Sequence, residues 1–341
     1  MVPSVYPEKN APEQPDVVPA ARRAYSGAML NLLVYALVGE ALAILTISIW
    51  KITNPGQQPS MTASYLLQFI PVYGLAFPLY LLIARTQKAD PPEKHKLSAG
   101  QLICAFLMSI GISVVGAIIG VIVISILMAL FGVDTGTTFL QEGVVSDGAL
   151  VLTVIASFFA PVVEEMLFRK ILIDRIRKYG NVAAILLSGL LFGLFHGNFT
   201  QFFFASMLGF FFAFIYIRTG NILYTILLHF GINFLSSGIA GTLLRRADFD
   251  AEELMTAILR LEVDKLLPYL PLGIYMLVYY GAALTGFILL IIFRKQFRVG
   301  PSELQLPKKK RFPAACLNLG CVLFVLFCIS QFVIRTVQNG A

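Results

Sequence analysis

Charge is scarce in this sequence. Only 13% of its 341 residues are Asp, Glu, Lys or Arg, against 57% apolar, whereas a soluble domain carries about 25% charged residues. That deficit excludes an ordinary water-soluble globule. Cysteine is almost as rare. Cys104, Cys316, Cys321 and Cys328 all fall in apolar stretches without CxxC spacing, so neither a disulfide framework nor a cysteine metal site is expected, and they read as small buried hydrophobes. Only three histidines occur, and there is no HExxH. Residues 1–23 hold five prolines and several charges but no apolar core, which rules out a cleavable signal peptide. Residues 1–25 read instead as a disordered tail ending near Arg22 and Arg23.

What the chain has in abundance is long apolar runs, with a mean hydropathy of +0.79. A bilayer crossing needs about 20 such residues. Nine segments qualify, at 26–50, 61–84, 98–132, 149–168, 181–197, 200–217, 221–240, 271–293 and 313–334. The expected fold is therefore all-α, a polytopic transmembrane helical bundle of about 8–9 helices with membrane lipids as its surroundings. The third segment exceeds a single crossing, so it tilts, kinks or projects; its Gly116 and Gly120 offer a close-packing face.

Orientation follows from the basic residues. With the N-terminus inside, 20 of the 26 Lys and Arg collect on the cytoplasmic side, and six (Lys51, Arg245, Arg246, Arg260, Lys265, Arg335) face out. The net charge of +7 then reads as attraction to the cytoplasmic leaflet, and no motif supports a nucleic-acid partner. Two connecting stretches have character. Residues 169–178 alternate basic and apolar side chains, as in a helix running along the cytoplasmic surface. Asp250 precedes Glu252 and Glu253, the signature of a capped amphipathic helix that closes near Pro268.

Against this apolar background a few polar residues stand out, because a mid-membrane charge costs roughly 2.5–3.5 kcal/mol. Glu164 and Glu165 follow Ala-Pro-Val-Val, His196 ends Leu-Phe-Gly-Leu-Phe, and His229 and Asn233 interrupt another apolar run. Glu165 and Arg169 are four apart and can pair, leaving Glu164 to face elsewhere. Phe192 and His196, and likewise His229 and Asn233, share helix faces. Glu164 lies sixteen residues before Gly180 and His196 sixteen after, so a hairpin turning there brings both to one depth at about 1.5 Å per residue. Glu40, alone in the first segment, reads as structural or accessory, and His95 in a charged loop as a surface residue.

A glutamate beside a histidine can deprotonate water. A histidine and an asparagine amide on another helix can hold an oxyanion. These are the parts for amide hydrolysis, and no serine or cysteine shares the spacing with either histidine. The three elements Glu164-Glu165-x-x-x-Arg169, Phe192-x-x-x-His196 and His229-x-x-x-Asn233 resemble the motifs of the CPBP family, which comprises CAAX prenyl protease type II and bacteriocin-processing (Abi) intramembrane proteases. His196-Gly-Asn198-x-x-Gln201 and Arg218-Thr-Gly-Asn221 resemble its bacterial members.

The resemblance implies a multi-pass plasma-membrane endopeptidase, bacterial in origin, acting on a lipidated or apolar peptide, either CAAX-like or a bacteriocin-type leader. By position it gives water activation to Glu164 and His196, oxyanion stabilisation to His229 and Asn233, and support to Glu165 and Arg169, with Phe192 and Asn198 completing the motifs. The resemblance covers roughly residues 150–240; together with the apolar runs it divides the chain into the tail, N-terminal helices at 26–148, a catalytic core of four helices at 149–240, an outer loop at 241–270 and C-terminal helices at 271–341. The family carries a metalloprotease label, and Glu164, His196 and His229 could ligate zinc. The histidines lie on different helices and asparagine is a poor zinc ligand, so the cofactor-free mechanism is favoured over a zinc-dependent one. The competing readings are a membrane immunity protein or peptide-binding scaffold, and a transporter, for which no internal repeat is visible.

Overall fold

In the computed structural model, which describes residues 17–132, 148–304 and 306–340, the chain is a polytopic helical bundle. Among the described residues, eight helices are long and apolar enough to cross a membrane. They are α1 (Val17–Thr53), α2 (Met61–Ala84), α3 (Ala99–Leu130), α4 (Ala149–Tyr179), α6 (Phe199–Thr219), α7 (Ile222–Arg246), α9 (Val263–Ile292) and α11 (Leu319–Thr336). Among the shorter helices are α5 (Asn181–Phe195), α8 (Ala251–Arg260) and α10 (Lys308–Cys316).

Three outcomes differ from expectation. The first helix begins at Val17, so residues 17–25 are helical; residues 1–16 lie outside the described residues. Ala21, Tyr25, Ala28, Met29 and Leu32 are all buried at helical spacing, and that packing extends the helix through the basic pair. The fifth apolar segment yields only the fifteen residues of α5, about 22 Å of helix, short of a full crossing. The basic stretch after Arg169 is inside the fold rather than on its surface. Asp174 is buried because it accepts hydrogen bonds from Tyr216 Oη (2.6 Å) and pairs with Lys170 (2.7 Å). Arg175 is held by the carbonyls of Ile171 and Ala84.

Asp250 does cap α8, accepting from the Glu253 amide at 2.9 Å, but the helix stops at Leu261, whose φ of 54° turns the chain before Pro268. Helix α3 opens with a reciprocal Ser98–Gln101 capping box and closes on Gly132 in the left-handed region, as residue preferences dictate.

Two apolar clusters meet at α6. One gathers α1, α2, α4, α5 and α11; the other gathers α3, α6, α7 and α9, with α6 contributing Ala205, Ala213 and Tyr216 to the first and Leu208, Phe211 and Phe212 to the second. Helices α5 and α6 approach closely because both carry glycine at the crossing: a Cβ on Gly209 would lie 2.8 Å from the Gly189 Cα. On the other side Gly286 of α9 abuts the Leu107 carbonyl of α3. Gly286→Val is therefore expected to force α3 and α9 apart at a cost of about 1–3 kcal/mol, read as a lowered melting temperature of the detergent-purified protein, while Gly273→Val, with open space around it, leaves it unchanged.

Candidate active site

The two glutamates occupy a single α-helical turn, Ala160–Glu165, between two wide π-helical turns at Ile155–Phe159 and Met166–Ile171. Pro161 supplies a reason for the first: lacking an N–H, it cannot complete the regular ladder. In α7 a third π turn, Phe234–Ala240, begins where Ser236 and Ser237 donate their hydroxyls to the carbonyls of Ile232 and Asn233, in competition with backbone amides. Such turns are frequent at functional sites.

Glu165 points inward and is fully buried. Its Oε2 lies 3.1 Å from Arg169 Nε, both side chains at 0% exposure. The guanidinium stacks over the Phe192 ring at 4.4 Å and lies 5.7 Å from Phe212. The other oxygen of Glu165 is 3.0 Å from His229 Nδ1. A carboxylate next to a buried arginine accepts, so Nδ1 donates and Nε2 turns outward, 3.7 Å from Glu164 Oε2. His229 thus stands between the two carboxylates.

His196 is oriented by a different partner. Its Nδ1 lies 2.8 Å from the Phe192 carbonyl oxygen, which can only accept, so Nδ1 donates and Nε2 is left to carry the lone pair. Its own carbonyl receives Asn198 Nδ2 at 2.9 Å and Arg335 Nη1 at 3.1 Å. Asn198 in turn caps α6 through the Gln201 amide (2.8 Å). The Phe192 ring stands nearly perpendicular to both imidazoles, with centroids 5.0 Å from His196 and 5.6 Å from His229. Asn233 donates one amide hydrogen to the Ala156 carbonyl at 2.8 Å; the second hydrogen on that nitrogen is left for another acceptor.

Glu164, His196, His229 and Asn233 all line one cavity of ≈ 510 Å³, whose apolar walls include Phe69 and Tyr73 of α2 and Phe204 and Leu208 of α6. Glu164 and His196 therefore share a site, although the uniform rise behind the depth count does not hold through the π turns of α4. Among the described residues, no group of three or more His, Cys, Asp or Glu side chains is gathered to hold a metal ion. Glu164, His196 and His229 are thus not gathered into a zinc cage.

Sequence reasoning left out the Glu165–His229 bond, which joins residues 64 apart, and the part played by Arg335. Arg335 had a signal, as a lone cation in the last apolar segment, but was counted only as an outer-face charge.

Residues 146–235 match the family described as Type II CAAX prenyl endopeptidase, Rce1-like. That segment is therefore similar to CAAX-type prenyl endopeptidases. The match covers about a quarter of the chain and contains all four cavity-lining polar residues named above. At the general level it supports an intramembrane CAAX-type endopeptidase. No curated protein and no solved structure matches the chain.

The buried chain of contacts sets a stability expectation. Glu165→Gln leaves the Arg169 charge without its carboxylate, which should cost about 3–5 kcal/mol. The double variant Glu165→Gln/Arg169→Met removes both charges and should recover most of that loss, measured by thermal unfolding in detergent.

Proposed function

We propose that this protein is an intramembrane endopeptidase that cleaves an apolar or lipidated peptide, CAAX-like or of bacteriocin-leader type, with a water activated by Glu164. The reading is carried by one observation: a carboxylate, two imidazoles with outward Nε2 atoms and an amide converge on a single apolar-walled cavity. The family match of residues 146–235 supports the same reading.

In the proposed reaction, water sits between Glu164 and His196 Nε2. Glu164 takes a proton as the water oxygen bonds to the scissile carbonyl carbon, with the His196 lone pair accepting the second O–H and orienting the nucleophile. The carbonyl oxygen becomes an oxyanion, met by the second amide hydrogen of Asn233 and by His229. In the proposed reaction His229 is protonated and donates: with two carboxylates beside it and one arginine behind, a second positive charge is what brings Glu164, Glu165, Arg169 and His229 to neutrality. When the tetrahedral centre collapses, the C–N bond breaks and Glu164 returns its proton to the leaving amine. Glu165 takes no proton; it holds the His229 ring, as a carboxylate orients the base of a hydrolase triad.

The basic-residue distribution extends the proposal to topology. The N-terminus lies in the cytoplasm, the protein sits in a bacterial plasma membrane, and α5 and α6 form a hairpin rising from the cytoplasmic side. A peptide-binding scaffold or immunity protein would share the cavity but lack turnover.

The test uses purified protein reconstituted in lipid with a lipidated peptide. Glu164→Gln should lower cleavage by roughly 10²–10⁴-fold, and Asn233→Ala by roughly 10²–10³-fold through kcat, with both variants melting like the wild type. Equal turnover by Glu164→Gln would leave the scaffold reading. Exhaustive chelation should leave activity intact; activity lost with chelation and restored by zinc, together with stoichiometric zinc by elemental analysis, would overturn the metal-free step.

A further inference from the structure

A second site lies at the opposite end of the molecule's first helix. Helices α1 and α11 run parallel in a constant register. Arg22 Nη2 donates to the Leu317 carbonyl at 2.9 Å, and Ser26 Oγ accepts from the Gly320 amide at 3.0 Å. These pairs are 295 and 294 residues apart, and at the second of them Gly320 lies directly on the Ser26 backbone. Parallel helices enter a bilayer through the same face. Arg22 and Arg23 precede the apolar run of α1, and Lys308-Lys309-Lys310-Arg311 precede that of α11. Six cations are thereby gathered at one membrane boundary, all of them exposed. Among the described residues, none of them lies within ion-pair distance of a carboxylate.

Between them is a cavity of ≈ 290 Å³ lined by Arg22 and Lys310 on one hand and by Val18, Pro313, Ala314 and Leu317 on the other. Its composition is two-sided, cationic at the rim and apolar at the floor. Phe312, Leu317 and Leu319 lie 54–65% exposed beside it, marking the level at which hydrocarbon begins. A soluble anion would have no use for that floor, and a neutral lipid none for the cations.

The geometry points to a binding site for the headgroup of an anionic phospholipid in the α1–α10–α11 cleft, its phosphodiester held by Arg22 and Lys310 and its upper acyl carbons lying on Pro313 and Leu317. The site is separate from the catalytic cavity and does not rest on the protease reading. Each juxtamembrane cation that faces the headgroup strengthens such binding about five-fold.

The test is native mass spectrometry of the full chain released from bilayers of equal phosphatidylglycerol and phosphatidylcholine. Wild type should retain phosphatidylglycerol in preference. Arg22→Gln/Lys310→Gln should reduce that preference about tenfold, in line with the loss of one to two headgroup-facing cations. Lys94→Gln/Lys96→Gln, in a basic loop elsewhere, should leave it unchanged. Because Arg22 also holds the Leu317 carbonyl, Lys310→Glu alone serves as the second variant, with melting temperature recorded for each. Equal retention of the two lipids by wild type, or undiminished preference in Lys310→Glu, overturns the proposal. So does displacement of the bound lipid by millimolar inorganic phosphate, since that would make the site one for free anions.

Discussion

A guanidinium with no access to water is the constraint on which this fold turns. Arg169 is completely buried, and an isolated charge there would cost many kcal/mol. The structure meets that cost from three directions: Glu165 from the same helix at 3.1 Å, Phe192 from α5 and Phe212 from α6 as ring faces. Glu165 then reaches His229 on α7. One buried charge thus specifies how four helices sit relative to one another, in a setting where apolar surface gives little directional preference because lipid and helix are equally apolar.

The same chain of contacts separates two adjacent glutamates into different environments. Consecutive residues of a helix point about 100° apart, so a side chain next to the inward-facing Glu165 faces away from Arg169. Glu164 uses that freedom to enter the cavity. The π turns on either side of Ala160–Glu165 reset the helix face locally. A short turn can therefore present both carboxylates near His229 without redirecting the whole of α4. Proline and serine side chains that disturb the backbone ladder are the physical means by which α4 and α7 depart from ideal helices at this level and not elsewhere.

Much of this was legible in the sequence, because its strongest signals are local. Apolar run lengths located the spanning helices, and four-residue spacing placed Glu165 with Arg169. Asp250 had a recognisable capping pattern. What was not legible is long-range. Nothing in the sequence ties Glu165 to His229, or Arg335 to His196 across 139 residues. The extent of α1 was misjudged because proline and charge near residue 20 suggest a tail, whereas Tyr25 and Ala21 are fixed by packing against α10 and α11. Segment 181–197 passed as a span on hydropathy alone, yet the chain leaves the helix at His196, whose carbonyl is held by a side chain from α11. Residues 169–178 read as surface because they are charged; buried partners such as Tyr216 reverse that inference.

The division of labour within the chain follows from where the family resemblance stops. The matched segment ends at residue 235, and it holds the groups that would act on a peptide bond. The cavity around them is not built from that segment alone. Phe69 and Tyr73 come from α2, Ser113 and Val114 from α3, and Tyr279 and Tyr280 from α9, while Arg335 of α11 steadies the turn that carries His196. Under the proposed reaction the four polar residues supply every reacting group, so the flanking helices could change without loss of the chemistry. What those helices set is the width and polarity of the cavity. In this chain that space is walled by aromatic rings and small side chains and carries few charges, so discrimination between substrates would rest on shape and apolar contact rather than on ion pairing.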